Sequence, residues 1–492
     1  MKKAGVLTAL LVLSLASHVA AAVRIERPCL VPWPQKVTMR GGSLAAPKSL
    51  CIVVAGGSTT RRVAETLVDD LRELGFAPTL TGKSPKIILG LSADKTLGVE
   101  GYRLEVDKDI RITAATDTGL FWGTRTLLQL LAKGPGKPIP HLSIADKPLI
   151  PLRIVMIDVA RQFHSIGFHR RMVKRLASYK LNAYHIHFSD DQSYTLPSEK
   201  YPTLAKPGRN YTKDELKDLV KLAGRYHVTI IPEVDMPGHS EALSRAVPEV
   251  ACREIAGQPI CPSSNRSFEI LRNLITEVTD IFPGPYFHIG ADEVNFRSWE
   301  ECPDCRARKI SESLNDNDSL YNWFINRVNG YVRSKGRTTI VWDGFKTTTR
   351  PAVDKNVLVD EWDIGCVMPG DLLAAGYDLI NASAAPLYVV RTWSSTPQNV
   401  AEWDVWHFGL VNQPPPYLAP EMTPSKRLRG VCSCSWENSE EVEGAVLFGI
   451  GPSAPTYVDP APRVPPMAER AWTGSATTAV DLLERVGATP DK

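Results

Sequence analysis

A chain of 492 residues with 43% hydrophobic and 23% charged residues has the composition of a folded globular protein, long enough for two or three domains. Its 57 basic and 54 acidic residues give a formal charge of +3, which leaves no strongly basic surface for nucleic acid, so none is expected as a partner. Nine cysteines are an odd number, so at least one is unpaired or pairs between chains.

At the N-terminus, Lys2 and Lys3 precede an apolar run from Ala4 to Ala16 and then Ser17-His18-Val19-Ala20-Ala21-Ala22. A basic start, a short apolar centre and a small-residue cleavage site predict a secretory signal over residues 1–22. The apolar run is too short to cross a bilayer and no later segment is long enough, so no membrane span is predicted. Cys29 lies too far beyond the cut for lipidation. The mature chain, with a charge of +1 (55 basic against 54 acidic residues), is expected to be exported as a free protein to a secreted, periplasmic or lysosome-like compartment, where disulfides are permissible.

Residues 23–147 read as a small α+β accessory domain. Arg61 to Leu74 has helical spacing, Lys86 to Leu91 is an apolar strand, and Tyr102 to Val106 with Ile110 to Ala114 alternates like a hairpin. Asp117 opens an amphipathic helix through Leu131. The stretch Gly134-Pro135-Gly136-Lys137-Pro138 then marks the approach to a boundary near Pro148.

Over residues 148–492 short apolar strands recur, most of them running into a polar or aromatic side chain: 153–158, 183–190, 229–235, 286–292, 338–343, 357–363, 378–383 and 430–436. Helical stretches fall between several of them, at 168–181, 212–226 with a capping box at Thr212 and Glu215, 268–282, 320–334 and 467–472. Eight strand-then-helix units predict an α/β fold, a (β/α)₈ TIM barrel with its active site at the C-terminal strand ends. The alternative, a doubly wound sheet, finds no Gly-rich phosphate loop to support it.

The run Tyr286-Phe287-His288-Ile289-Gly290-Ala291-Asp292-Glu293 delivers two adjacent carboxylates at the end of the fourth of these strands. A helix N-cap with ordinary surface charge would account for an isolated Asp-Glu pair. Glycosidases commonly place two carboxylates on opposite sides of a sugar, which neighbours in sequence cannot easily do. One acid can protonate a leaving group while the other holds something in place, and a 2-acetamido sugar brings its own nucleophile. Other strand ends add Arg161; Asn182, His185, His187, Asp190 and Asp191; Glu233, Asp235 and His239; Trp342 and Trp362; Tyr388; and Trp436 with Glu437. Charged groups that fork onto hydroxyls beside aromatic faces suit a neutral carbohydrate. A single tryptophan is usually core, but three at strand ends sit poorly in a barrel interior of branched aliphatics. Cys302-Pro303-Asp304-Cys305 and Cys432-Ser433-Cys434 invite a zinc reading. These pairs stand about 130 residues apart and neither has a second close pair, so local bridges or buried thiols are expected, with no metal.

Six ordered motifs resemble glycoside hydrolase family 20, the β-N-acetylhexosaminidases: Asp158-Val-Ala-Arg161, Leu181-Asn-Ala-Tyr-His-Ile-His-Phe-Ser-Asp190-Asp-Gln, Pro232-Glu-Val-Asp-Met-Pro-Gly-His239, His288-Ile-Gly-Ala-Asp-Glu293, Val341-Trp342-Asp and Trp436-Glu437. Gly101-Tyr-Arg-Leu-Glu-Val and Gly119-Leu-Phe-Trp-Gly-Thr-Arg-Thr-Leu-Leu-Gln-Leu are similar to that family's accessory domain. The resemblance implies an exo-acting, retaining, cofactor-free hydrolase of terminal N-acetylhexosaminides. It implies Glu293 as general acid and base, and Asp292 as the group that orients the acetamido nitrogen and stabilises the oxazolinium intermediate. Tyr388 would donate to the acetamido oxygen, Trp342, Trp362 and Trp436 would enclose its methyl, and Arg161 would grip the 3- and 4-hydroxyls, supported by Asp190 and His239. With two close acids, Glu293 is expected to stay protonated beside an ionised Asp292. Two positions depart from the family pattern: Val390 stands where many members have an aspartate, and Trp436-Glu437-Asn438 replaces Trp-Gly-Glu. Selection at the 4-hydroxyl is therefore expected to be loose, with Arg161 and Glu437 the remaining polar restraints. A carbohydrate-binding protein on an inactive barrel is the alternative; a chitinase would carry a D-x-x-D-x-D-x-E run, which is missing. The natural glycan and the oligomeric state are left open.

Overall fold

The computed structural model describes residues 27–80, 86–390, 397–409, 424–436, 463–474 and 477–488. The predicted signal at 1–22 and the pair Glu437 and Asn438 lie outside them.

The first unit is a mixed seven-stranded sheet. Its strands are β1 (Lys36–Ala45), β2 (Ser49–Ala55), β3 (Ala77–Thr79), β4 (Lys86–Leu91), β5 (Tyr102–Val106), β6 (Ile110–Ala114) and β7 (Pro138–Asp146), in the order β1-β7-β5-β6-β4-β2-β3. The predicted hairpin is β5 with β6, registered Tyr102 against Ala114, and its alternation buries Tyr102, Leu104 and Val106 while Arg103 and Glu105 face out. Helices Ser58–Glu73 and Asp117–Leu130 pack on this sheet and on each other, the first through Val63, Ala64, Leu67, Val68 and Leu71. Of these seven strands the sequence predicts only β4, β5 and β6; β1, β2, β3 and β7 are additional. β1 is an edge strand with every side chain exposed or half-buried, so it carries no apolar alternation, and β7 opens on Pro138 and Pro140 beside the glycine-rich stretch.

Eight parallel strands follow and close on themselves: β8 (Leu152–Asp158), β9 (Ala183–His187), β10 (Thr229–Glu233), β11 (Tyr286–His288), β12 (Thr338–Trp342), β13 (Leu358–Glu361), β14 (Asp378–Asn381) and β15 (Leu428–Ser435). Every residue of β8 and β9 is buried, as expected for parallel strands covered on both faces. The helix Lys213–Arg225 starts on the predicted capping box, with the Thr212 side chain accepting from the Glu215 backbone N–H and Glu215 reaching back. The barrel is least regular after β14, where residues Ala384–Leu387 make only a kinked turn.

A buried polar knot joins sheet and barrel. Asp146 at the end of β7 accepts from Lys180 Nζ (2.9 Å), the Tyr102 hydroxyl (2.7 Å) and Trp472 Nε1 (2.9 Å), and one apolar core runs through both units around it. Among the described residues no helix is long and apolar enough to cross a membrane.

Candidate active site

β11 pairs for only three residues because the chain leaves the ladder at once. Gly290 (φ +66°), Ala291 (φ +82°) and Glu293 (φ +47°) take left-handed backbone conformations, which side-chain-bearing residues adopt at a cost of about 1–3 kcal/mol each. The surroundings hold the turn. Trp342 N–H donates to the Gly290 carbonyl (2.9 Å), Ala291 N–H donates to Asp235 Oδ1 (3.2 Å), and the Tyr321 hydroxyl donates to the Ala291 carbonyl. A Cβ on Gly290 would lie 1.8 Å from Asp235 Oδ1, so only glycine lets Asp235 approach. The result sends Asp292 inward, 12% exposed, and Glu293 outward, 59% exposed.

Four of the predicted polar residues then converge. Arg161, just past β8, contacts Asp158 (3.2 Å) and Asp190 Oδ2 (2.7 Å). His239 lies 3.2 Å from Glu293 Oε2 and 3.9 Å from Asp292 Oδ2 through Nε2, while Nδ1 faces Asp190 at 3.6 Å and Asp191 at 3.7 Å. Burial works against charge on His239, but the surrounding carboxylates of Asp190, Asp191 and Glu293 outweigh it and raise its pKa far above the usual value, making it an imidazolium. Burial likewise opposes charge on Asp190, yet His187, His239 and Arg161 hold it ionised.

The two acids titrate in the opposite sense to the expectation. Burial pushes Asp292 up to about 6 against the pull of His239, and its Oδ1 has no hydrogen-bond partner among the described residues. The His239 hydrogen bond holds Glu293 below the usual carboxylate range. Without substrate, Glu293 therefore ionises at lower pH than Asp292, because it is solvated and lies closer to the His239 cation (3.2 Å against 3.9 Å) while Asp292 is buried.

Beneath the acids sits a carboxylate to which the sequence reading gave no role. Glu233, fully buried at the end of β10, accepts from His185 Nε2 (2.9 Å) and His187 Nδ1 (2.6 Å) through Oε2, and from Trp342 Nε1 (2.8 Å) through Oε1. His187 passes the contact on to Asp190 (2.9 Å), so a chain Glu233–His187–Asp190–Arg161 ties the barrel floor to the predicted sugar-binding arginine. The alternation His185-x-His187 on β9 signals inward-facing imidazoles, and the sequence marks Glu233 as a strand-end acid, but that the two meet has no sequence signal because they come from different strands. Tyr321, from a helix, had no sequence signal at all.

The predicted aromatic residues form one wall. Trp362 and Tyr388 are stacked (6.4 Å, 12°), Tyr388 lies 6.2 Å from Trp436, and Trp436 lies 5.8 Å from Trp342 and beneath the Arg161 guanidinium at 5.1 Å. Trp342 is 1% exposed and belongs to the barrel core as much as to the wall, while Trp362, Trp436 and Val390 are half-buried against that core. Glu437 lies outside the described residues.

All nine cysteines are free thiols and seven of them are buried, so of the two expectations, local bridges or buried thiols, the second describes both pairs. What the spacing did not show is the neighbours of the first pair. Cys302 and Cys305 meet Cys252 and Cys261, whereas Cys432 and Cys434 lie together in the barrel interior.

The model of "Glycosyl hydrolase family 20, catalytic domain" matches residues 151–475, and that of the family's domain 2 matches residues 27–147. The chain belongs to glycosyl hydrolase family 20. A β-hexosaminidase of Porphyromonas gingivalis is 30% identical over 354 residues, covering 64% of this chain and 45% of that protein. The chain spans about half the length of the curated relatives it matches first. Among solved structures, the β-N-acetylhexosaminidase of Streptomyces coelicolor is 25% identical, with a TM-score of 0.73 over 94% of this chain and 96% of the other. An exo β-N-acetylglucosaminidase of Vibrio harveyi shares the fold at a TM-score of 0.77 and 23% identity, over 94% of this chain and 76% of the other.

Proposed function

We propose that the chain is an exo-acting, retaining β-N-acetylhexosaminidase that removes terminal N-acetylhexosamine from glycans or chitin fragments, with the substrate's acetamido oxygen as nucleophile. The observation that carries this reading is the Gly290–Glu293 turn, which turns one carboxylate inward and leaves its neighbour exposed at the barrel mouth. Two carboxylates of that kind cannot flank a sugar as acid and nucleophile, but they can serve one substrate from the same side. Asp292, buried near the imidazolium of His239, holds the acetamido nitrogen and balances the oxazolinium charge. Glu293, at the rim, donates a proton to the leaving oxygen and then takes one from water. A bound sugar strips water from Glu293 and so raises its pKa toward the protonated form that donation requires.

In the same reading Arg161 grips the ring hydroxyls, with Asp190 and His239 fixing its direction and that of Glu293. Tyr388 donates to the acetamido oxygen, and Trp342, Trp362 and Trp436 bound the space for its methyl. Val390, half-buried where a hydroxyl-binding acid could stand, imposes no penalty on an epimer. We therefore assign loose selection at position 4, leaving Arg161 and Glu437 as polar restraints. The leader-like residues 1–22 support export as the route to the substrate.

The deciding experiment compares aryl N-acetylglucosaminide, N-acetylgalactosaminide and plain glucoside, with a thiazoline mimic of the cyclised intermediate as inhibitor. Expected are strong inhibition, negligible glucoside turnover, and kcat/KM values for the two epimers within about tenfold, a gap of roughly 1.4 kcal/mol. Comparable rates on glucoside and N-acetylglucosaminide would refute acetamido participation. No turnover of any of them would favour a binding protein on the same barrel.

A further inference from the structure

The four cysteines beside the candidate active site come from two neighbouring loops. After β10, the antiparallel bridge between Ala251 and Ile260 and the hydrogen bond from Cys261 N–H to the Val250 carbonyl (2.8 Å) close a small knuckle, so Cys252 and Cys261 stand side by side. After β11, Cys302 precedes and Cys305 lies in the first turn of the helix Pro303–Ser311. None of the four is more than 1% exposed. Their sulfurs are separated by 3.8 Å (Cys252 to Cys305), 3.9 Å (Cys261 to Cys302) and 3.9 Å (Cys261 to Cys305), and all four lie within 4.8 Å of one another.

Those separations choose between two chemistries. Disulfides bring sulfurs in pairs to about 2.05 Å and leave the pairs unrelated to each other. A tetrahedral zinc ion with Zn–S bonds of about 2.3 Å places its sulfurs on edges of about 3.8 Å, each sulfur near all the others. We propose that Cys252, Cys261, Cys302 and Cys305 form a structural site for one Zn²⁺. The backbone N–H groups of Ser263 and Ser264 lie against the Cys261 sulfur, and Cys302 and Cys305 stand at the N-terminus of the helix Pro303–Ser311. Arg253 and Glu254 take left-handed backbone conformations (φ +57° and +55°) to turn the chain beside Cys252, a strain that a bound ion offsets.

The site acts as a clip on the two loops that carry the candidate chemistry. Ile260 N–H, one residue before Cys261, donates to the Pro237 carbonyl (3.2 Å) and lies 3.3 Å from Ser240 Oγ, on either side of His239. Trp299 Nε1, from the loop that begins at Asp292 and Glu293, donates to the Ile260 carbonyl (3.2 Å). The cysteines are thus one hydrogen bond from the segment holding His239 and on the same loop as both acids.

The test is the metal content of the full chain, purified without chelator or added metal, together with its intact mass under non-reducing denaturing conditions. About one zinc per chain and a fully reduced mass are expected, with the zinc released stepwise as p-hydroxymercuribenzoate modifies the thiols. Cys305→Ser should lower the zinc content at least tenfold, while Cys432→Ser, outside the cluster, keeps it. A mass about 4 Da lower, two hydrogens for each of two disulfides, or a metal-free chain with four reactive thiols in the cluster overturns the proposal. These wild-type measurements decide the matter even where Cys305→Ser fails to fold.

Discussion

Asp292 is the residue at which folding and chemistry pull apart. Its folded pKa of about 6 stands above the ordinary aspartate value of 3.8 because burial penalises the carboxylate. A raised acid stabilises the fold only while protonated, so that contribution is complete below pH about 4 and lost as the pH rises through about 6. At neutral pH the ionised group costs on the order of 3 kcal/mol. Asp292→Asn should therefore stabilise the protein at pH 7 by about 2 kcal/mol, a gain that vanishes below pH about 4, while lowering kcat by roughly 10²-fold or more through lost charge stabilisation. Urea unfolding at two pH values, with kinetics on one aryl substrate, checks both halves; a destabilised Asn variant at neutral pH contradicts the assignment. His239 supplies a charge that pulls both acids down, against burial in the case of Asp292. In His239→Gln the acidic limb of the kcat/KM profile should move above its wild-type position near pH 6, and an unmoved limb would mean that His239 carries no charge. The acids themselves were legible in the sequence as an adjacent pair at a strand end. Which one ionises first was not, because that depends on a histidine more than fifty residues away and on an inward turn that no local pattern encodes.

Among the elements, the shortest barrel strand governs the site. β11 ends after His288 because Gly290 and Ala291 turn left-handed to let the Asp235 carboxylate accept from the Ala291 N–H. Replacing Gly290 by Ala adds a methyl 1.8 Å from Asp235 Oδ1, so the turn or Asp235 must shift by more than 1 Å. A misplacement of that size costs about 10²-fold in rate. Gly290→Ala should lose at least that much kcat/KM while circular dichroism still reports the barrel, and a variant with near-wild-type activity would show that the turn does not set the geometry. The same logic separates what could be read from sequence. Eight buried runs, each ending in polar or aromatic residues, announced β8 to β15, because strands covered on both faces must be continuously apolar. Their ends were overrun by up to four residues, as at β11, where the apolar pattern continues but the ladder stops. β1 escaped because an exposed edge has no inward face to mark, and Cys252 and Cys261 escaped because eight residues of irregular knuckle separate them.

For the whole molecule, the accessory sheet and the barrel are joined by charge buried at their seam. Asp146 and Lys180 have fully buried side chains, and Asp146 also anchors Tyr102 from the sheet and Trp472 from the helix Val464–Thr473. Such a pair says little about net stability, since the cost of desolvating both ions offsets most of their attraction, but removing one ion strands the other. Asp146→Ala should accordingly cost about 3–5 kcal/mol. The cost should fall largely on both units together, because one apolar core crosses the seam and calorimetry of the wild type is expected to show a single transition. Adding Lys180→Met to Asp146→Ala removes the stranded cation and restores apolar contact with Trp472, whose ring lies 4.6 Å from the Lys180 ammonium. The double variant should recover at least half of the loss. A double variant as unstable as the sum of its single changes would place the cost in the bonds to Tyr102 and Trp472. A wild type that melts in two well-separated steps would mean that the seam does not couple the units at all.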